Sequence, residues 1–366
     1  MLDRGKVQIF STRSSEDYAV SVIEELKNLN DFTRKYKDLK GDLEVKTFSD
    51  GEIEVDIGES IRKKDVYLFH NSSRRNKYNL SVGDNQIELY HAIDALTRAQ
   101  AKSLTVFEPY TSCSRSDRAT RRSSVGLWIH IKTMMALGMT HYITFQLHSD
   151  KSKTIIDPTR ANIDDMPATS LLKNHILRNF VKTKKAFETD VHDNWAICSV
   201  DAGGEKMARQ FAETFNCDLV IANKRRSVTK ANTVEKIDIL SDSPLDDKTI
   251  WIVDDMIDTG GSVYTLVKEL KNRGVKHVNI AIIHPVLSGP AVQRLIKLHD
   301  EKFLENFLVV DTIHIPEEMR EELPFMTVVK SAHLAAEIIY RINIGSSITQ
   351  FFCPEDVFSV LEKATE

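Results

Sequence analysis

Short apolar runs alternate with helical patterns throughout the first half of the chain. The runs are too short for helices and are rich in Val, Ile, Leu and Phe, which is typical of buried strands. The predicted strands are 7–10, 43–48, 66–70, 104–107 and 141–147. The predicted helices between them are 18–29, one centred on residues 87–96, and 127–137.

The pattern between these elements predicts loops and helix ends. Residues 72–83 lack apolar periodicity and predict a loop, whereas 111–124 are too polar to belong to the core. In the helix that follows the first loop, we expect Asp84 or Asn85 to cap the N-terminus. The residues predicted to share its apolar face are Ile87, Tyr90, Ile93 and Leu96.

The second half repeats this plan. The predicted strands are 195–200, 219–222, 249–253, 278–283 and 307–310. Helices are predicted up to Phe215, from 331 to 341, and after Ser262, where apolar residues recur with helical spacing until Gly274 ends the helix. Residues 352–366 form an amphipathic, acidic tail.

Alternating strands and helices predict an α/β fold, in which helices cover mainly parallel sheets. The 366 residues suggest two domains. We place them at 1–160 and 161–342, followed by a tail at 343–366. Ligands of such folds bind at the carboxyl ends of the strands. The loops after residues 107, 147, 200, 222 and 253 are therefore the candidate site loops.

The most informative of these loops follows strand 249–253. Asp254, Asp255 and Asp258 are followed by Thr259-Gly-Gly-Ser262 and then by a helix. A glycine-rich loop at a helix N-terminus presents backbone N–H groups to an anion, and the acids suit hydroxyl groups or cations. Ribose 5-phosphate carries both a phosphate and vicinal hydroxyls. The alternative is an ordinary strand-to-helix turn with capping residues.

Three other loops carry weaker signals. Asp201-Ala-Gly-Gly204 is a second strand-to-helix glycine turn, which suits another phosphate group, with Asp201 as a carboxylate for Mg²⁺. His148 follows a predicted strand and is a second candidate ligand, although a lone histidine there is usually only a hydrogen-bonding residue. Lys224 and Arg226 suit a transferring phosphoryl group; a surface charge cluster is an equal alternative.

Composition narrows the classes of protein. A net charge of −4 shows no general signature of nucleic-acid binding. The four cysteines are widely spaced, which argues against a zinc site or a disulfide framework and fits a reducing compartment. The sequence has neither an apolar signal core at its N-terminus nor an 18-residue apolar run. We therefore expect a cytoplasmic protein without a membrane segment.

Taken together and in order, the motifs resemble those of the ribose-phosphate pyrophosphokinases, also called phosphoribosyl-pyrophosphate (PRPP) synthetases. Any one motif could arise by chance, but the ordered set is specific and spans most of residues 5–352. The matching motifs are 48–52, 57–62, 84–89, 93–96, 109–110, 115–118, 147–148, 201–204, 224–226, 253–262 and 287–291.

The resemblance implies two phosphoribosyltransferase-like domains and transfer of the diphosphoryl group of ATP to the 1-hydroxyl of ribose 5-phosphate. It implies that ribose 5-phosphate is bound by Asp254, Asp255, Asp258, Thr259, Gly260, Gly261 and Ser262. The implied pyrophosphate loop is Asp201, Ala202, Gly203 and Gly204, and Mg²⁺ is assigned to His148 and Asp201. The implied ATP contacts are Arg115, Asp117 and, from a neighbouring subunit, Phe48, Asp50 and Glu52. Transition-state stabilisation falls to Lys224 and Arg226.

The resemblance also implies regulation and assembly. A regulatory site for phosphate or ADP would lie between subunits, where Ser60, Arg62, Ser347 and Thr349 supply the hydroxyl and arginine positions. The implied assembly is a homodimer or a homohexamer.

The chain departs from the family pattern mainly in segment 119–126. This segment keeps Arg121 and Arg122 but has neither the lysine nor the proline that the family usually carries there. An alternative hypothesis is a non-catalytic paralogue that assembles with an active synthetase and regulates it; such a protein would be expected to lose the Lys/Arg pair or the ribose-phosphate acids. A third is a phosphoribosyltransferase acting on a base, which would not need the N-terminal half.

Overall fold

The computed structural model describes residues 4–29, 38–226, 234–352 and 356–362, without the side chains of 224–226 and 234–236. Cys353 and part of the predicted tail lie outside these ranges. The chain forms two compact units. The first contains the described residues up to Pro167, Thr312–His314, and the stretch from Ser331 to residue 352. The second contains Ala168–Asp311, Ile315–Lys330 and the last described residues, 356–362.

The first unit is built on a five-stranded sheet. The strands of this unit are β1 (Lys6–Ser11), β2 (Leu43–Thr47), β3 (Ile53–Ile57), β4 (Lys64–Phe69), β5 (Ser103–Glu108), β6 (His141–Phe145) and β7 (Asn162–Met166). Among the described residues, strands β2 and β3 pair only with each other, as an antiparallel hairpin. The sheet order is β1-β4-β5-β6-β7, and all its neighbours are parallel. The helices are α1 (Glu16–Asn28), α2 (Val82–Arg98) and α3 (Gly126–Leu137).

The second unit has a seven-stranded sheet of order β10-β9-β8-β11-β12-β13-β14. Only β10 runs antiparallel to its neighbour. The strands are β8 (Trp195–Ser199), β9 (Asp218–Arg226), β10 (Val234–Ser241), β11 (Thr249–Ile257), β12 (His277–Pro285), β13 (Asn306–Val310) and β14 (Met326–Val329). The predicted class of α/β fold with mainly parallel sheets is thereby confirmed.

The helices of the second half are unequally shared between the units. They are α4 (Thr169–Ile176), α5 (Glu205–Phe215), α6 (Gly261–Asn272), α7 (Ala291–Asp300), α8 (Glu317–Glu322), α9 (Ala332–Ile344) and α10 (Val357–Glu362). Short helical turns add Arg13–Ser15, Asp150–Ile155, Leu177–Val181, Lys184–Ala186, Phe187–Val191, His192–Asn194, Ala202–Gly204 and Thr349–Phe352. No helix of the described chain is long and apolar enough to cross a membrane.

Helix α9 belongs to the first unit, although the sequence places it after the second. It packs against α1. Asn343 donates hydrogen bonds to the backbone carbonyl of Gly5 and to the buried Asp65 carboxylate, both at 3.0 Å. The compact units therefore divide the chain differently from the predicted limits of 161–342 and 343–366. Local sequence pattern carries no information about which sheet a helix packs on.

Two strands are longer than predicted, and their extra residues matter for function. The prediction ends β9 at Ala222 and β11 at Val253, but β9 continues through Arg226 and β11 through Ile257. Lys224 pairs with Ile237 of β10, and Asp254 pairs with Ile282 of β12. Lys224, Arg226 and Asp254 thus lie within strands rather than after them, because long neighbouring strands supply backbone partners that a local pattern does not reveal.

Helix α2 also differs from the prediction at its N-terminus and along its face. Ser81 is the N-cap, and it forms a capping box with Asp84, so Asp84 contributes from inside the helix. Ile87 is 50% exposed, whereas Glu88 is buried because its carboxylate binds the Arg13 side chain at 2.7 Å. The buried face of α2 therefore includes a charged residue, and Ile87 lies outside it.

The predicted polar loops begin inside the core. The hydroxyl of Thr111 is buried and bonds with those of Tyr142 and Thr144 at 2.9 and 2.7 Å. Ser112 is buried and accepts a hydrogen bond from Gln86 at 2.9 Å. The interpretation that 111–124 is too polar for the core is therefore wrong for its first residues, because buried hydroxyl groups are tolerated when they are hydrogen-bonded.

Candidate active site

Three predicted carboxylates share one environment in the second unit. Asp254 and Asp255 lie near the carboxyl end of β11, and Asp201 follows the adjacent strand β8. The Asp255 backbone N–H donates to Asp254 Oδ1 at 3.0 Å. Burial raises the pKa of Asp254 well above its ordinary value, and the charges of Asp255 and Asp201 raise that pKa further. This concentration of negative charge suits a ligand that brings hydroxyl donors or a cation.

The glycine loop after β11 ends at the N-terminus of α6. Gly260 has φ +69°, a left-handed conformation that favours glycine, and Gly261 is the first residue of the helix. The Ser288 N–H donates to the Asp258 carbonyl at 3.0 Å, and the Ser288 hydroxyl bonds with the Asp258 carboxylate. The loop therefore presents the helix N-terminus, where a phosphate is favoured by backbone N–H groups and the helix dipole.

Arg294, on the neighbouring helix α7, contacts this loop, and the sequence did not predict this contact. Its guanidinium on α7 donates to the Thr259 carbonyl at 2.7 Å. A Cβ added to Gly261 would lie 3.3 Å from the same guanidinium. The sequence signal was weak: the motif 287–291 precedes Arg294, but nothing local indicates that α7 reaches back to the loop.

The second glycine turn is held by its own aspartate. Asp201 Oδ1 accepts hydrogen bonds from the N–H groups of Gly203 and Gly204, at 2.9 and 3.2 Å, and α5 begins immediately afterwards. A Cβ on Gly204 would lie 3.3 Å from Asp254 Oδ1. Glycine at this position therefore lets the two predicted binding loops approach each other closely.

The predicted transition-state cations are placed by the backbone only. Lys224 and Arg226 lie near the end of β9, which is adjacent to β8 in the sheet. Their side chains lie outside the described part of the chain. The strand order places β9, β8 and β11 side by side, so their carboxyl ends meet at one edge of the sheet.

The predicted ATP residues form two groups in the first unit. Phe48, Asp50 and Glu52 occupy the tip of the β2–β3 hairpin, where Phe48 is 50% exposed. The Phe48 N–H donates to the Glu52 carbonyl at 2.8 Å, and the Glu52 N–H donates to the Asp50 carboxylate at 3.1 Å. The hairpin tip is therefore an ordered turn that presents an aromatic ring to its surroundings.

Arg115 and Asp117 lie on the segment between β5 and α3. Arg115 is exposed, and Asp117 lines a recess of about 560 Å³ whose wall includes the exposed Trp128 and Ile129 side chains. Residues 118–124 are exposed as well. This arrangement places charged groups next to exposed apolar side chains.

The predicted metal residues belong to different units. His148 is exposed in the first unit, and Asp201 is partly exposed in the second. Within the described ranges no three His, Cys, Asp or Glu side chains form a metal-binding cluster. The pairing of His148 with Asp201 stays a prediction.

The predicted regulatory residues lie in the first unit. Ser60 and Arg62 are exposed, and the Arg62 guanidinium donates to Gln100 at 2.8 Å. The Ser347 hydroxyl bonds with that of Thr349 at 2.9 Å. Ser346 lines a recess of about 1030 Å³ that also includes Arg4 and Lys153. Basic residues near hydroxyl groups suit an anion, and the regulatory role stays a prediction.

Family models match most of the chain. The model for the N-terminal domain of ribose phosphate pyrophosphokinase matches residues 7–138, and that for the phosphoribosyl transferase domain matches residues 161–321. The two matches cover the hairpin tip 48–52, the segment with Arg115 and Asp117, and the loops and strands with residues 201–204, 224–226 and 254–262, whereas His148, Ser347 and Thr349 lie outside them.

Individual relatives align along nearly their whole length. A ribose-phosphate pyrophosphokinase of Xanthomonas campestris pv. campestris is 34% identical over 355 residues, 96% of this chain and 99% of the relative. Ribose-phosphate pyrophosphokinase 1 of Streptococcus pneumoniae serotype 4 is 31% identical over 313 residues, 85% of this chain and 89% of the relative. The crystal structure of phosphoribosylpyrophosphate synthetase from Mycobacterium smegmatis superposes with a TM-score of 0.77 at 25% identity, covering 93% of this chain and all of that one.

The raised pKa of Asp254 predicts that its charge destabilises the free protein. An acid whose pKa is higher in the folded state binds more protons when folded, so stability falls as pH rises above the unfolded value of about 3.9. In EDTA and without ligands, we expect Asp254→Asn to raise the Tm at pH 8, with the gain shrinking towards pH 4. The exposed Asp242→Asn is the control. Equal or lower Tm for Asp254→Asn at pH 8 would contradict this account.

The Arg294 contact predicts a selective effect on the phosphate loop. Arg294→Ala removes a charged donor from the Thr259 carbonyl, so we expect the KM for ribose 5-phosphate to rise about tenfold, with a smaller change in the KM for ATP. Arg320→Ala removes an exposed arginine of the same unit whose pairing with Glu317, at 3.9 Å, is loose. Steady-state kinetics that show equal KM values for Arg294→Ala and Arg320→Ala would refute the supporting role.

Proposed function

The chain belongs to the ribose-phosphate pyrophosphokinase family, and we propose that it transfers the diphosphoryl group of ATP to the 1-hydroxyl of ribose 5-phosphate. The products are PRPP and AMP. The observation that carries the proposal is the cluster of Asp201, Asp254 and Asp255 beside two glycine turns that each begin a helix. One ligand with a phosphate at one end and hydroxyls at the other satisfies both features.

Ribose 5-phosphate is assigned to the loop after β11. Asp254 and Asp255 accept hydrogen bonds from the ribose hydroxyls, and this interaction offsets the repulsion between the carboxylates. The 5-phosphate binds at the N-terminus of α6, where Thr259, Gly260, Gly261 and Ser262 supply hydroxyl and N–H donors. The support that Ser288 gives to Asp258 keeps this acceptor loop in place before the ligand arrives.

The donor side of the reaction is assigned to other loops. The turn Asp201–Gly204 binds the pyrophosphate moiety, and Arg115 and Asp117 bind ATP together with a neighbouring copy's Phe48, Asp50 and Glu52. The 1-hydroxyl oxygen bonds to the β-phosphorus and releases its proton to water, while the bond from the β-phosphorus to the oxygen that leaves with AMP breaks. Lys224 and Arg226 stabilise the charge that develops. The protein needs no covalent nucleophile, because positioning and charge neutralisation suffice.

Mg²⁺ is the proposed cofactor, and the carboxylates near the ends of β8 and β11 support it. The raised pKa of Asp254 reflects burial and neighbouring carboxylates, which are hard oxygen ligands that a divalent cation stabilises. Asp201 and His148 would hold the ion. When bound, Mg²⁺ supplies charge neutralisation at the phosphates.

The three described cysteines are free thiols, which supports a cytoplasmic location.

The assay with ATP, Mg²⁺ and ribose 5-phosphate tests the function directly. We expect AMP and PRPP to form only when all three are present. Lys224→Ala should lower kcat about a hundredfold or more, because a charge that stabilises the transition state is lost. The exposed Lys276→Ala is the control. Absence of AMP that depends on ribose 5-phosphate would contradict the function; near-normal turnover of Lys224→Ala would contradict only its assigned role.

Phosphate titration tests the regulatory site. We propose that Ser60, Arg62, Ser347 and Thr349 bind phosphate or ADP between subunits of a homodimer or homohexamer. The rate at fixed substrate should then depend on phosphate concentration, and Arg62→Ala should weaken that dependence. Arg98→Ala, an exposed arginine paired with Asp94, is the matched control. A wild-type rate that stays flat across the titration would refute the site.

A further inference from the structure

A fully buried carboxylate marks the end of β5. Glu108 is 0% exposed. Its Oε2 accepts hydrogen bonds from the Tyr142 hydroxyl at 2.7 Å and from His130 Nε2 at 2.8 Å. Burial raises the pKa of Glu108, but its interactions with His130, His70 and Tyr142 together outweigh burial, so the pKa lies below its ordinary value. Glu108 is therefore an ionised group inside the first unit.

His130 is the principal partner of this carboxylate. It is 1% exposed on α3, and since a carboxylate only accepts hydrogen bonds, its proton must be on Nε2. Its Nδ1 lies 3.0 Å from the Tyr90 hydroxyl on α2. The imidazole is thus held on both sides, and its orientation relative to β5 is fixed.

A second histidine completes the surroundings without replacing His130. His70 Nε2 lies 4.0 Å from Glu108 Oε1, and burial lowers the pKa of His70 to about 4. The Thr12 hydroxyl lies 2.8 Å from His70 Nδ1, and the Ser72 hydroxyl lies 2.8 Å from Nε2 and donates to Glu108 at 3.3 Å. A neutral His70 with its proton on Nε2 satisfies all three contacts, so it supplies no counter-charge at neutral pH.

The position of this pair gives it a specific consequence. Glu108 directly precedes residues 109–125, and His130 lies one turn into the helix that follows them. Above the pair, the Gly126 N–H donates to the Ser116 hydroxyl at 3.0 Å, and the Leu127 N–H donates to the Ser116 carbonyl at 3.1 Å. The two ends of the segment are thus joined twice, by the Glu108–His130 hydrogen bond and by the hydrogen bonds of Ser116 with Gly126 and Leu127. Residues 118–124 are exposed.

We propose that Glu108 and His130 are positioning residues, whose hydrogen bond holds residues 109–125 in the conformation that binds ATP. The inference rests on the proposed function, since Arg115 and Asp117 are the ATP contacts on this segment. Glu108 and His130 are both buried and are not among the proposed ATP contacts. The pair acts by fixing both ends of the segment, so its loss changes the placement of Arg115 and Asp117 relative to one another.

The kinetic test compares two variants with the wild-type protein. In His130→Ala, the KM for ATP should rise about tenfold or more, because misplaced binding groups lose much of their contribution. The KM for ribose 5-phosphate, whose loop belongs to the other unit, should stay within about twofold. Glu108→Gln keeps an oxygen acceptor for His130, so this variant should retain most of the wild-type affinity for ATP. Equal rises in both KM values, or no rise for ATP, would overturn the proposal.

A matched control and an apolar replacement separate positioning from general stability. His141 forms a 2.8 Å bond with Asp164 at the opposite end of the same sheet, so His141→Ala should leave the KM for ATP unchanged. The double variant Glu108→Leu, His130→Leu replaces the buried pair by apolar side chains, a change that proteins often tolerate. We expect its Tm to be close to the wild-type value and its KM for ATP to be raised. A normal KM at normal Tm would show that the pair is dispensable for positioning.

Amide hydrogen exchange tests the pair independently of turnover. In the free wild-type protein and in the double variant, exchange is compared over 109–125 and over the strands of the sheet. We expect faster exchange confined to 109–125 in the variant, and unchanged exchange there would refute the proposal. Failure of the wild-type protein to form PRPP would refute the proposed function instead, and leaves this exchange result to decide the positioning role.

Discussion

Repulsion between carboxylates at the carboxyl ends of β8 and β11 is the constraint on which the candidate site depends. Asp201 follows β8, and Asp254 and Asp255 occupy the end of the adjacent strand, so strand spacing alone brings their charges together. Burial and these neighbours raise the pKa of Asp254 well above its ordinary value. Such a cluster lowers the stability of the free protein, and the proposed ligands, ribose hydroxyls and a divalent cation, would relieve the repulsion.

The backbone around the acids is arranged to bring ligand and protein close together. Gly204 allows the turn Asp201–Gly204 to approach Asp254, and Gly260 takes a left-handed conformation at the start of α6. Arg294 and Ser288 then hold the loop from the neighbouring connection and helix. The acidic cluster is therefore supported on two sides by hydrogen bonds that do not depend on a ligand.

In the first unit, buried polar groups anchor the segment between β5 and α3. Much of the segment that carries Arg115 and Asp117 is exposed, and the proposed binding of ATP also requires a defined conformation. Buried hydrogen bonds of Glu108 with His130 and Tyr142 anchor the strand end and helix from which the segment projects. A carboxylate buried in this way specifies geometry, because without its hydrogen-bond donors it would carry a large desolvation cost.

The sequence by itself determined the class of fold, most strand and helix positions, and the loops that carry the predicted site residues. Apolar periodicity and glycine turns are local properties, and the residue types of 254–262 predict a phosphate and hydroxyl ligand without the structure. The sequence did not reveal β3, β7, β10 and β14, the strand position of Asp254, the packing of α9 on the first unit, or the contacts of Arg294 and Glu108. Each of these depends on which distant segments pair or pack, and only the tertiary structure decides that, because backbone pairing and burial are shared between residues far apart in the chain.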